Sequence, residues 1–271
     1  MLYEIVFLSS EWFFCSQGPD HFKVLTEIIN KGYSKARDRF DIVASPRIEC
    51  PSELLNSFHV KEDGDFVYAL LLGNKQIWSE IETQTGYRRR FNADISPKSH
   101  CEDSDVPPKI LEYFGELEPQ NVTYTFLKPN EHIDEEVQNR VFAVAGYQIL
   151  EQHLVDQTIE IPGAKYYELT GFCAFGKRMG TKYLEYTIEQ FFADRSSPIA
   201  IDKRAPQFFV CCVVIAEHDL VPYYTKVCKF TRSKKEDVLV TSAENLQVLE
   251  STLKFKKDFH VSFLYREVIP S

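Results

Sequence analysis

Between residues 148 and 230 the chain carries four or five β-like segments, at about 148–161, 166–175, 182–192, 208–217 and 223–230. That spacing is typical of antiparallel sheets, and it constrains the fold more than any other feature of the sequence. The expectation is an α+β fold: a curved, largely antiparallel sheet or partial barrel with about three packed amphipathic helices. Composition agrees, since a chain of 271 residues with 44% hydrophobic content can bury a large core. Its aromatics are mostly Phe (21) and Tyr (14), which suit half-buried pleated surfaces.

Further elements follow from local pattern. Residues 2–8 read as a strand, and 66–72 form an unbroken apolar run. Phe22, Leu25, Ile28, Ile29 and Tyr33 recur at three and four residue spacing, which predicts a first helix from Pro19 to about Arg39, with a strand at 40–44 after it. Residues 76–95 read as a hairpin turning at Thr83–Gly86, so that Glu82 faces Arg88 and Glu80 faces Arg90. Asn130 is placed to cap a second helix with Ile133, Val137, Val141 and Val144 inward and Gly146 at its end. Ser242 opens a last helix along Leu246, Leu249 and Leu253, before a closing strand at 259–265. A Pro-containing acidic stretch, 96–119, divides an N-terminal α+β part (1–95) from a β-rich C-terminal part (120–271); a loop inserted in one domain would look the same, and one continuous sheet is the preferred reading.

A net charge of −9 disfavours a nucleic-acid-binding module or an anionic membrane surface. The last quarter is nevertheless basic, through Lys226, Lys229, Arg232, Lys234, Lys235, Lys254, Lys256 and Lys257. The seven cysteines are scattered and show no C-x-x-C spacing, so neither a disulfide framework nor a zinc site is expected and a reducing compartment fits. No signal-peptide pattern opens the sequence and no apolar run is long enough to span a bilayer. These features point to an intracellular protein, nuclear or cytoplasmic, without membrane partners.

Catalytic signatures are lacking. There is no G-x-S-x-G elbow, no H-E-x-x-H pair and no cysteine in a protease context. Gly171, Gly176 and Gly180 are spaced G-x-x-x-x-G-x-x-x-G with Lys177 and Arg178 among them, but the flanks look like strand on both sides, so a hairpin turn is expected in preference to a phosphate site. One catalytic arrangement merits a test: Glu80 with Glu82 and Glu185 with Glu189, each pair on one strand face. Inside a barrel these carboxylates would hold a divalent metal, and Arg88 and Arg90 a phosphate, as in a tunnel-type phosphohydrolase or nuclease. Two exposed ion pairs across a hairpin explain the same residues.

The function expected from these patterns is therefore a non-enzymatic interaction or scaffold subunit of an intracellular multiprotein complex, in transcription or RNA metabolism, with no cofactor. Crowded aromatics at Tyr166, Tyr167, Phe172, Phe175, Tyr183 and Tyr186 would supply the protein-binding face. By layout alone the chain resembles the barrel-like subunit of the Mediator head module. An RNA-binding accessory role would instead use Lys254, Lys256 and Lys257.

Overall fold

The computed structural model describes residues 1–15, 18–60, 66–89, 91, 106–150, 161–241 and 254–271. The strands among them are β1 Tyr3–Ser9, β2 Phe66–Gly73, β3 Val122–Phe126, β4 Val141–Ile149, β5 Lys165–Ala174, β6 Phe208–Ile215, β7 Thr231–Arg232, β8 Val238–Val240 and β9 Phe259–Val268. They form one sheet in the order β3-β1-β2-β4-β5-β6-β9-β7, with β8 also paired to β9. The β1–β3 and β5–β6 pairs are parallel and the others antiparallel. Eight α-helices accompany the sheet in the described residues: α1 Ser10–Phe14, α2 Lys23–Phe40, α3 Leu54–Ser57, α4 Lys75–Thr85, α5 Pro108–Leu111, α6 Glu136–Arg140, α7 Met179–Ile188 and α8 Leu220–Pro222.

The expected curved sheet or partial barrel with about three helices is thereby corrected to an open mixed sheet covered by helices. β3 lies at one end of the strand order and β7 and β8 at the other. The physical reason is the character of the central strands, which are buried on both faces. Leu70 and Leu72 of β2 pack with Trp12, Leu25 and Ile29, whereas Ala69 and Leu71 pack on the opposite side with Ile81, Tyr183 and Leu184. Strands of this kind need a helical layer on each side. The likeness to a Mediator head subunit was one of layout, and the curved antiparallel part of that layout is replaced by the open mixed sheet.

Two β readings give way to helix for identifiable reasons. In 76–95, Asn74 is an N-cap whose side chain accepts from the Gln76 and Ile77 amides at 2.9 and 3.4 Å. Gly86, at φ +69°, donates its amide to Glu82 O at 2.9 Å and closes the C-terminus of α4. The residues read as a hairpin turn are thus a helix end. In 182–192, aromatic and β-branched content suggested a strand, but the buried side chains Tyr183, Leu184, Thr187, Ile188 and Phe191 recur at helical spacing. Burial on most of its circumference hides the amphipathic signal of α7.

Other boundaries also move. The second helix is only α6, because Val141, Phe142, Ala143 and Val144 belong to the buried strand β4. Residues 40–44 contribute an isolated bridge, Val43 to Phe255, in place of a strand. The segment expected as a strand at 223–230 is a single wide turn, Tyr223–Val227, with the Cys228 amide on Tyr223 O at 3.2 Å. The expected last helix falls on 242–253, outside the described residues. No described helix is long and apolar enough to cross a membrane.

Candidate functional site

β5 runs into α7, which crosses over to β6, so the two strands are parallel neighbours with their carboxyl ends on the same side of the sheet. Their ladder pairs Lys165–Glu168 with Phe208–Cys211 and then stops, although β5 continues to Ala174 and β6 to Ile215. Each strand keeps its outer partner past that point: β4 reaches Ala174 and β9 reaches Ile215. The inner edges therefore separate into a fork. The carboxyl ends of adjacent parallel strands, where chain direction carries a helix away, are a recurrent place for ligands.

A backbone irregularity sets the divergence. The β4–β5 register shifts between Val144 and Gly146, opposite Gly171, which sits at φ +56°. The buried Tyr68 hydroxyl donates to Gly171 O at 2.7 Å and holds the bulge in place. Beyond it, Phe175 N donates to Phe142 O at 2.8 Å. By the alternation of an antiparallel ladder, Cys173 then also faces β4, and Phe172 and Ala174 direct their peptide groups into the fork.

At the fork's end lies Phe175-Gly176-Lys177-Arg178-Met179-Gly180, a strand-to-helix turn. The hairpin expected here is corrected: strand precedes this loop and helix follows it, the context that a phosphate cradle requires. Arg178 is the N-cap of α7 at φ +65° and makes no side-chain cap bond. Met179 N turns back to Gly176 O at 3.0 Å, while the Gly180 and Thr181 amides, in the first turn of α7, take no backbone acceptor among the described residues. Lys177 and Arg178 are exposed and form no ion pair there either. Gly180 is closely packed: a Cβ there would lie 3.2 Å from Tyr223 Oη and 3.3 Å from Ala174 Cβ, so either neighbour would have to give by a few tenths of an ångström.

Tyr223 closes the other side. Its hydroxyl is 3.3 Å from Thr181 Oγ1, either group donating. Burial is the main reason that its acidity is suppressed, so it is a neutral O–H donor at physiological pH. Tyr224 follows in the same wide turn, with its ring 6.5 Å from that of Phe172. Burial likewise pushes up the Cys212 and Cys228 thiols, so neither is an activated nucleophile.

The residues singled out from sequence are dispersed. Glu80 and Glu82 are exposed on α4, and two residues along a helix turn them about 200° apart. Glu80 accepts from Gln76 Nε2 at 3.0 Å, and Glu82 lies 3.7 Å from Arg88 Nε. Arg90 lies outside the described residues. Glu185, on α7, accepts a two-pronged contact from Arg266 at 2.8 and 2.9 Å, with Lys229 at 3.7 Å. Burial opposes ionisation of Glu185, but the Arg266 and Lys229 contacts outweigh it and hold the carboxyl below its ordinary value. Glu189 is exposed just beyond α7. Lys254 pairs with Glu49 at 2.6 Å, Lys256 pairs with Asp41, and Lys257 is exposed. Among the described residues, no group of three or more His, Cys, Asp or Glu is arranged to hold a metal.

Sequence reasoning noticed the three glycines but missed the fork. The signal available was the change of period, from the alternation of 166–175 to the four-residue recurrence of Met179, Tyr183, Thr187 and Phe191.

Comparison with known proteins adds a family. A protein of Saccharomyces cerevisiae described as sporulation protein RMD6 is 26% identical over 247 residues, covering 89% of this chain and 85% of that protein. The family model of the same description matches residues 1–268. With nearly its whole length matched, the chain belongs to the sporulation protein RMD6 family.

Proposed function

We propose that the fork between β5 and β6 binds a phosphorylated acyl carrier of the coenzyme A class and that the protein transfers its acyl group. The observation that carries this reading is the interrupted ladder, with strand edges open beyond Glu168 and Cys211 and a basic strand-to-helix loop at the mouth. Open strand edges accept an extended arm that offers its own amides, as an added strand would. The same ligand needs an anionic end for the Gly180 and Thr181 amides and for Lys177 and Arg178. A pantetheine arm joined to a pyrophosphate combines both features, and its thioester is the reactive group.

In the transfer, the acceptor nucleophile attacks the thioester carbonyl, loses its proton to solvent, and the carbon–sulfur bond breaks. The departing sulfur takes a proton from solvent, while the Tyr223 hydroxyl, beside Thr181 at the mouth, is placed to donate to the phosphate end. The yeast relative is described as a sporulation protein, and we extend that setting to this chain.

Calorimetric titration with coenzyme A, against ADP and pantetheine separately, tests the reading. Coenzyme A should bind more tightly than either fragment, and charge reversal at Lys177 and Arg178 should weaken the phosphorylated ligands alone. Absence of binding at millimolar coenzyme A overturns the proposal. A non-enzymatic subunit role draws support from Phe126, 62% exposed on the edge strand β3 and stacked on Phe7 at 4.8 Å. A chain that binds no carrier yet retains salt-resistant protein partners would favour that second reading.

A further inference from the structure

A separate cluster, built around Trp12, joins the N-terminal elements to the segment between β3 and α6. His21, only 3% exposed, lies in the 3-10 turn Pro19–Phe22, with its ring 4.0 Å from that of Trp12. Its Nε2 is 3.0 Å from Trp12 O. A carbonyl only accepts, so Nε2 carries the proton and the neutral ring has its lone pair on Nδ1. That atom is 3.4 Å from His132 Nδ1, which must therefore be the donor. Two further contacts hold the same segment: Trp12 Nε1 donates to Glu131 O at 2.8 Å, and the Cys15 thiol donates to Pro129 O.

We infer that the His21–His132 pair is an acid-released latch that fastens the 127–135 segment over Trp12. One added proton is accommodated, because His132 can change tautomer and accept from His21 Nδ1–H. A second leaves two cations facing each other across 3.4 Å with no lone pair between them. His132 is exposed, so water rather than a protein group is what relieves this. From Cys15, which caps the end of α1, comes a neutral thiol 3.5 Å from His21 Nε2. Asp20 on the 3-10 turn and Glu131 and Asp134 on the loop are exposed, and Lys23 of α2 is paired with Glu135 at 3.6 Å. Among the described residues no carboxylate is bonded to either imidazole. Burial lowers the basicity of His21; the Trp12 carbonyl raises it, and His132 lowers it again.

Trp12 and Trp78 are the only tryptophans, so a Trp78→Phe chain makes Trp12 the sole reporter. On acidification its emission should shift reversibly to the red below about pH 6.5, the ordinary imidazole value. Adding His132→Gln, which keeps a hydrogen-bonding group without a titratable charge, should remove that shift. An unchanged shift in the Gln variant, or no shift between pH 7.5 and 5, overturns the inference. Should the variants fold poorly, nitrogen-detected histidine NMR of the unaltered chain decides at pH 7.5. The latch requires the Nε2–H tautomer for His21 and Nδ1–H for His132; Nε2–H at His132 refutes it.

Discussion

Arg178→Gly should make the protein more stable and a worse ligand binder. Arg178 is held at φ +65° and ψ −2° as the N-cap of α7, with no side-chain cap bond to recompense it. The left-handed conformation costs a residue with a Cβ roughly 1 to 2 kcal/mol, and glycine escapes that cost. Because glycine gives up part of the gain in unfolded-state entropy, a net stabilisation of about 1 kcal/mol is expected. In a chain of this size that raises Tm by about 2 to 4 °C. The guanidinium lost in the same change is one of two exposed cations at the mouth of the fork. A charged hydrogen bond is worth about 1.5 to 3 kcal/mol, so coenzyme A affinity should fall roughly 10-fold or more. Differential scanning fluorimetry without ligand and calorimetry with it read the two effects separately. Arg178→Ala is the control, with the same loss of affinity and no gain in stability. A destabilised Gly variant would refute the strain assignment, and unchanged affinity in both variants would refute the phosphate assignment.

Gly32 lets α2 approach β5, since a Cβ there would sit 2.3 Å from Cys173 Sγ and 2.4 Å from its Cβ. Gly32→Ala should cost about 1 to 3 kcal/mol in urea melts, and Cys173→Gly on that background should recover part of it. Asn74→Ala removes both acceptor contacts at the start of α4 and should cost about 1 kcal/mol. The Glu185 carboxyl, held below its ordinary 4.5, contributes stability that is present above that value and lost as pH falls through the lower folded-state value. The stability difference between the unaltered chain and Glu185→Gln, followed by denaturant melts from pH 7 to pH 3, should therefore shrink on acidification.

Short apolar or β-rich runs between turn residues, and the three-and-four spacing of α2, were legible from sequence. β1, β5, β6, β9 and the run of α2 fall within a few residues of their expected places, and β2 occupies the apolar run 66–72. α7 was not, because a helix packed on most sides reads by composition, and Tyr183, Tyr186, Phe191 and Phe192 compose a strand-like word. α4 was missed for a different reason: Gly86 serves a helix end and a hairpin turn equally well, and only Asn74, eleven residues upstream of Thr85, distinguishes them. The candidate site was half legible. Lys177, Arg178 and Gly180 were noticed, yet a fork is a property of two strands forty residues apart and leaves no mark on either alone.

The strand order also governs how the chain emerges from the ribosome. β1 is flanked by β2 and β3, and Tyr3 is in register with Gly73 on one side and Val122 on the other. β2 in turn waits for β4, where Leu70 meets Val144. Once β2 has formed, β1 thus remains half-paired until β3, more than a hundred residues further along, has left the exit tunnel, and its apolar edge is exposed throughout that interval. Loops of this span close slowly, and incomplete strand edges recruit other chains. The nascent protein is therefore most dependent on chaperones between the appearance of β2 and that of β4, and slowed translation across the β2-to-β3 connection should lower its soluble yield more than slowing after β4.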